Sequence, residues 1–212
     1  MVMTAPDKPR RRWLRFSLRS LFLLIVVIAV SLGWTLYKVR QQGIAVAELK
    51  KMGCLVTYDN ADWGSPTVLE RLRKLLGEDE SRSVVRVRVE MEKTFTDAGL
   101  VHLRALTQLQ YLALDGTQVT DGGLVHLRGM TRLQYLILDR TQVTDAGLVH
   151  LRALTQLEVL YLDGTQVTAA GLVHLQGLTQ LQLLTVGGTQ VTNAGIQRLQ
   201  KALPNCKIKL QP

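Results

Sequence analysis

The sequence predicts an α/β fold, a solenoid of stacked strand–turn–helix units that follows a transmembrane helix and an α/β N-terminal cap. Three observations support this prediction. A pattern of apolar residues recurs every 24 residues over residues 109–199. Within each copy the apolar residues first alternate, as in a strand, and then recur at helical spacing. An uncharged run, LFLLIVVIAVSLGWTLY, occupies residues 21–37.

The uncharged run is typical of a membrane-spanning helix. No charged residue occurs between Arg19 and Lys38, and such a helix would span about 27 Å, close to the hydrocarbon thickness of a bilayer. Trp34 and Tyr37 end the run, as interfacial aromatic residues do. Basic residues precede it, which predicts a single-pass signal anchor in the cell membrane, with a cytoplasmic N-terminus and extracytoplasmic repeats. A cleaved signal peptide is the alternative, because a basic start and an apolar run fit both.

The formal net charge of +9 is concentrated near the N-terminus. Residues 1–51 carry ten Lys/Arg and two acidic residues, a net charge of +8, whereas residues 52–212 carry sixteen and fifteen, a net charge of +1. A nucleic-acid-binding domain would carry the basic excess on its own surface. We therefore expect the repeats not to bind nucleic acid.

Each repeat reads L-x-x-L-x-L-x-x-T-x-V-T-D-A-G-L-x-x-L. This pattern resembles the leucine-rich-repeat family, with Thr where many members place Asn or Cys, and the resemblance covers about residues 84–210. The stretches RFSLRSLFLL and YDNADWGSPTVLERLRKLLGED resemble membrane-anchored leucine-rich-repeat proteins of some bacteria. The resemblance implies a curved solenoid with parallel strands on its concave side and helices on its convex side.

The motif TQVTDAGLVHL, residues 141–151, looks at first like a repeated active site. Its spacing gives each residue a structural role instead. Thr141 is predicted in the turn after the strand, Thr144 as a helix N-cap, and Asp145 in the first helical turn, where it favours the helix dipole. Gly147 is expected to allow close packing between neighbouring units. The three-residue spacing of leucines after Leu148 predicts one face of a helix.

The chemistry of an enzyme or a metal site is not indicated. All four histidines, His102, His126, His150 and His174, share one repeat position. A metal-binding column is conceivable, but each follows a core leucine by two residues and is expected to point outward from the convex side. No G-x-S-x-G, P-loop or zinc motif appears. We therefore predict a non-enzymatic protein without metal or cofactor.

The predicted organisation has five parts. They are a basic cytoplasmic tail (1–20), the signal anchor (21–37), a juxtamembrane segment and N-terminal cap (38–83), the repeats (84–202) and a C-terminal cap (203–212). Within the N-terminal cap we expect helices over 44–52 and 67–76 around a strand over 54–58. Cys54 and Cys206 would then lie about six strand spacings of about 4.8 Å apart, too far for a disulfide.

The strand residues between the core leucines form the predicted partner-binding face. Its members are Arg86, Arg88, Tyr111, Tyr135, Ile137, Val159, Tyr161, Leu183, Asp115, Asp139 and Asp163. Tyrosine suits interfaces because it combines a large apolar area with a polar tip. The alternative is that these residues merely suit a strand. The aspartates are turn starts or a cation site, and Arg140 is placed to neutralise them.

The predicted function is therefore a membrane-tethered recognition module that binds a protein or peptide outside the cytoplasmic membrane. A structural or self-associating component of the cell envelope, without a discrete ligand, is the alternative.

Overall fold

The computed structural model describes residues 18–58, 84–90 and 95–210. The chain divides into two compact units, Met1–Lys38 and Val39–Pro212. The basic tail before residue 18 and the predicted cap helix over residues 67–76 lie outside the described residues.

The first element is a single helix, α1, over Leu18–Lys51. The predicted anchor over 21–37 and the start of the predicted cap helix at residue 44 both lie within this helix. No proline interrupts these 34 residues, and the two glycines, Gly33 and Gly43, are weak helix breakers. In the second unit, Ala45, Val46 and Leu49 of α1 are buried, and the last two join the core.

The N-terminal part of α1 is exposed and apolar, from Phe22, 67% exposed, to Tyr37. By length and composition, the helix segment Phe22–Lys51, which contains an 18-residue window with a mean hydropathy of 2.1, is able to cross a membrane. A signal sequence near the N-terminus meets the same criterion.

Seven strands form one sheet, in which the order of the strands follows the order of the chain. They are β1 (Cys54–Tyr58), β2 (Val84–Val89), β3 (Tyr111–Ala113), β4 (Tyr135–Ile137), β5 (Val159–Tyr161), β6 (Leu183–Thr185) and β7 (Lys207–Lys209). Strand β1 is antiparallel to β2, and every later pair is parallel. Cys54 begins the strand at one end of the sheet and Cys206 precedes the strand at the other, which confirms their predicted separation.

The helical segments that follow the strands are mostly short. They are α2 (Asp97–Leu103), α3 (Asp121–Leu124), α4 (Asp145–Leu148) and α5 (Asn193–Ala202), with 3-10 helices over Val125–Leu127, Val149–Ala153 and Gly171–Leu175. The leucines of residues 148–154 recur every three residues, which is the period of a 3-10 helix rather than of an α-helix. The sequence analysis predicted a helix from this spacing without distinguishing the two.

One apolar core runs through all repeats. Leu112, Leu114, Leu124 and Leu127 of one repeat are fully buried, as are their equivalents in the next. Cys206 belongs to the same core, where burial raises the pKa of its thiol to about 11. Cys206 therefore serves as a small buried apolar residue.

The hydroxyl of the turn threonine closes the bend after each strand. Oγ1 of Thr117, Thr141, Thr165 and Thr189 donates to the carbonyl three residues earlier, at 2.6 or 2.7 Å. Thr144 is the N-cap of α4, and its Oγ1 accepts from the backbone N–H of Ala146 at 3.3 Å. Both predicted roles are confirmed.

The aspartates that open α2, α3 and α4 also bond to the next repeat, a role that was not predicted. The backbone N–H and the hydroxyl of the following cap threonine both donate to each carboxylate. The pairs are Asp97 with Thr120, Asp121 with Thr144, and Asp145 with Thr168, with N···O distances of 2.7 or 2.8 Å and O···O distances of 2.6 Å. We call this series the Asp–Thr ladder.

A glycine in the next repeat leaves room for each of these carboxylates. A Cβ added to Gly147 would meet Oδ1 of Asp121, and one added to Gly171 would meet Oδ1 of Asp145. The predicted close packing at Gly147 is therefore confirmed, and its cause is the carboxylate of the preceding repeat.

Candidate binding face on the parallel strands

The strand residues that alternate with the core leucines line up across the sheet. We call this surface the open strand face and define it by two rows. The first row is Arg86, Tyr111, Tyr135, Val159, Leu183 and Lys207. The second row is Arg88, Ala113, Ile137, Tyr161, Thr185 and Lys209.

Aromatic contacts connect the start of the first row. The ring centroids of Tyr111 and Tyr135 are 6.1 Å apart, with an interplanar angle of 35°. The guanidinium of Arg86 lies 5.6 Å from the ring centroid of Tyr111, within cation–π range. Tyr135 is 39% exposed, so this row presents aromatic surface to solvent.

The second row is more recessed than the first. Ala113 and Thr185 are buried, whereas Ile137 and Tyr161 are partly buried. Oγ1 of Thr185 is buried, and it has no hydrogen-bond partner within the described part of the chain. A buried hydroxyl without a partner costs free energy.

The predicted aspartates at the edge of this face bond to the backbone. Oδ1 of Asp139 accepts from the N–H of Asp163 at 2.8 Å, and Oδ1 of Asp163 accepts from the N–H of Gly187 at 2.5 Å. Burial is the main cause of a raised pKa for the Asp139 carboxyl, and the neighbouring aspartates add to it. Arg140 lies 3.9 Å from Asp115, as predicted for a neutralising cation.

The histidines occupy the helical side, and two of them contact an arginine of the preceding repeat. Nε of Arg128 donates to Nδ1 of His150 at 3.1 Å, and Arg152 contacts Nδ1 of His174 in the same way. All four are partly buried rather than freely exposed, so the expectation of simple surface histidines was incomplete. Within residues 18–58, 84–90 and 95–210, no group of three or more His, Cys, Asp or Glu is placed to hold a metal ion.

The sequence analysis missed Lys207 and Lys209 as members of the open strand face. Strand β7 pairs Leu183 with Lys207 and Thr185 with Lys209, and both lysines are exposed. The apolar residues Ile208 and Leu210 continue the repeat pattern and were the signal that could have placed the two lysines on this face.

Comparison with known proteins identifies the fold. No family model matches the sequence, and no curated protein matches it. The leucine-rich-repeat ectodomain of the receptor kinase SOBIR1 from Arabidopsis thaliana is similar in structure, with a TM-score of 0.50 and 12% identity over 81% of this chain and 92% of that one.

Two internalins from Listeria monocytogenes also match over 52% of this chain. InlF has a TM-score of 0.46 and 25% identity, and internalin C2 has a TM-score of 0.45 and 28% identity. The match covers 30% and 46% of the two internalin chains, less than half the length of either.

The 24-residue repeat, the parallel strand that each repeat adds and the likeness to the Arabidopsis ectodomain agree with one another. They show that this chain has the leucine-rich-repeat fold.

Proposed function

We propose that the chain is a non-enzymatic, membrane-tethered module that binds a protein or peptide on its open strand face, outside the cytoplasmic membrane. The single observation that carries the proposal is the row of tyrosine and aliphatic side chains on that face, with Tyr135 39% exposed. The proposal includes a curved solenoid whose strands form its concave side and whose ends are capped.

The fold itself does not require these side chains. The buried leucines that alternate with them, such as Leu112 and Leu136, already form the core. At the equivalent of Ile137, one repeat has alanine, which shows that a small residue is compatible with the strand. Exposed aromatic residues in register supply the apolar area and polar groups that protein interfaces use.

The tether is supported by the exposed apolar surface of α1. Its side chains between Phe22 and Tyr37 are exposed and uncharged, and a surface of this size is unfavourable in water. A bilayer would cover it. The basic residues before this segment favour a cytoplasmic N-terminus, which would place the repeats on the other side.

A site-specific photo-crosslink in the native host tests the binding face. A benzophenone amino acid replaces Tyr135 in one variant and Val173, which is exposed on the helical side, in the matched control. We expect adducts with another polypeptide from position 135 and none from position 173. Equal adducts from both positions would remove the support for the proposal. An adduct between two copies of the chain would favour the self-associating alternative.

Orientation is tested separately. We expect a tag at the C-terminus to be cleaved by protease added to cells with a permeabilised outer envelope, while a tag at the N-terminus stays protected. Protection of the C-terminal tag would contradict the proposed topology.

A further inference from the structure

The geometry points to a ligand class for the open strand face: an extended segment with carboxylates at both ends and an uncharged, partly apolar middle. This inference rests on the proposed binding function of that face. It derives from the register of the rows, each of which begins with an arginine on β2 and ends with a lysine on β7. The members of both rows on β3, β4, β5 and β6 are all uncharged.

The two basic pairs are available to a ligand. Arg86, Arg88, Lys207 and Lys209 are exposed, and within residues 18–58, 84–90 and 95–210 none of them forms an ion pair. Arg86 stacks on Tyr111. A stacked guanidinium keeps its in-plane N–H groups for a carboxylate.

The spacing of the pairs sets the length of the ligand. Strands β2 and β7 are five strand intervals apart, which corresponds to about 24 Å at about 4.8 Å per interval. An extended chain advances about 3.3 Å per residue, so about seven residues would separate the two acidic ends. The long arginine and lysine side chains would tolerate a difference of one or two residues.

The middle of the open strand face disfavours a negatively charged group of the ligand. Asp115, Asp139 and Asp163 lie along its edge and would repel a carboxylate placed between the two ends. Tyr135, Tyr161 and Val159 offer apolar area instead. Ala113 and Thr185 are buried, so the middle of the face presents no charged group of its own.

Peptide binding to the full chain in phosphatidylcholine nanodiscs tests this inference, with empty nanodiscs as background. The probe is a fluorescent peptide with blocked termini, an acidic pair at each end and about six alternating apolar and Thr residues between. Comparison peptides carry Asn-Gln at both ends, or carry the acidic pairs in the middle. We expect the acid-ended peptide to bind about tenfold more tightly than either, with an advantage that falls as salt rises.

Charge variants then assign each end. Arg86→Gln with Arg88→Gln, and Lys207→Gln with Lys209→Gln, should each remove about half of the preference on a logarithmic scale. The matched control, Arg132→Gln with Lys201→Gln, removes two exposed positive charges outside the two rows and should leave the preference intact. Thermal unfolding of each variant checks that the repeats remain folded.

Three results would overturn the inference: equal binding of the neutral-ended peptide, tightest binding of the peptide with central acids, or no measurable binding of any peptide. The proposed function has a different failure. If position 135 crosslinks to a partner while the peptides show no preference for acidic ends, the face binds a ligand of another class. If position 135 yields no adduct, the binding face itself is wrong.

Discussion

Arg140 adopts a backbone conformation that suits glycine. Its φ is 56°, and glycines hold the equivalent turn in other repeats, with φ of 69° at Gly116 and Gly164 and 65° at Gly188. A side chain in this left-handed region costs about 1 kcal/mol. The ion pair of Arg140 with Asp115 is long and largely exposed, so that it offsets little of this cost.

We therefore predict that Arg140→Gly raises the free energy of unfolding by about 1 kcal/mol. Chemical denaturation of the full chain in detergent measures the change. The reciprocal variant Gly164→Arg should lower it, because a Cβ there is strained and would lie 3.2 Å from Cγ of Arg140. A lower denaturation midpoint for Arg140→Gly would show that the arginine contributes more than its geometry indicates.

Two histidines on the helical side make stability depend on pH. Burial, followed by the charges of Arg104 and Arg128, lowers the pKa of His126 and His150 below the ordinary value of 6.5, while Asp97 and Asp121 oppose this shift. The folded state therefore binds fewer protons than the unfolded state. The stability that depends on their neutral form is fully present above about pH 6.5, and it is lost as the pH falls through the lowered pKa values of the folded state.

We predict a lower denaturation midpoint at pH 5 than at pH 7.5, and a smaller difference in the double variant His126→Gln with His150→Gln. Glutamine does not titrate, and at position 150 its side-chain oxygen can still accept from Arg128. An unchanged pH dependence in the variant would assign the effect to other groups.

At the scale of the helical segments, the Asp–Thr ladder ends where alanine replaces aspartate. Ala169 occupies the position of Asp145 one repeat later, and Thr192 therefore lacks the carboxylate that Thr168 has. The segment after Ala169 has only a 3-10 helix, Gly171–Leu175. A cavity of about 450 Å³ lies beside it, lined in part by Ala169, His174 and Arg198.

We predict that Ala169→Asp restores the ladder and raises the free energy of unfolding by about 1–2 kcal/mol, since its carboxylate would accept from the N–H and the hydroxyl of Thr192. Gly195 leaves room for it, as Gly171 does for Asp145. Ala169→Asn is the matched control and should gain less, because its amide has one acceptor oxygen. Asp121→Ala should lose a similar amount. No gain in the denaturation midpoint for Ala169→Asp would contradict the ladder's role.

The Asp–Thr ladder also shows which contacts were predictable from the sequence and which were not. The N-cap role of Thr144 depends on residues within one repeat, and spacing alone was sufficient to predict it. The bond from Asp121 to Thr144 depends on how adjacent repeats are offset, which a single copy does not reveal. The continuity of α1 was missed for a different reason: the anchor was bounded by the charged residue Lys38, and a lysine does not end a helix.

At the scale of the whole molecule, the strand rows were predictable because the sheet follows the 24-residue repeat. The register places Tyr111, Tyr135 and Val159 together, as expected. The depth of each residue was not predictable from the repeat, since Thr185 is buried while Tyr161, in the same row, is only partly buried. Lys209, beside it, was overlooked because the last strand keeps only Ile208 and Leu210 of the apolar pattern.

The order of the strands also determines which repeats a core substitution destabilises. Within the parallel part of the sheet, each strand pairs only with the strands of the adjacent repeats. A cavity in a central repeat should therefore weaken its neighbours more than distant repeats. Leu136, on β4, is fully buried, and its truncation to alanine should cost about 2–5 kcal/mol.

We predict that Leu136→Ala accelerates amide hydrogen exchange most in β3, β4 and β5, with a smaller effect at β7. Leu210→Ala is the control, because Leu210 is 38% exposed at the far end of the stack and its truncation should change little. Exchange measured by mass spectrometry on the full chain distinguishes the outcomes. A uniform loss of protection from β2 to β7 would mean that the repeats unfold as one cooperative unit, so that the stack is not the sum of neighbouring interactions that its topology indicates.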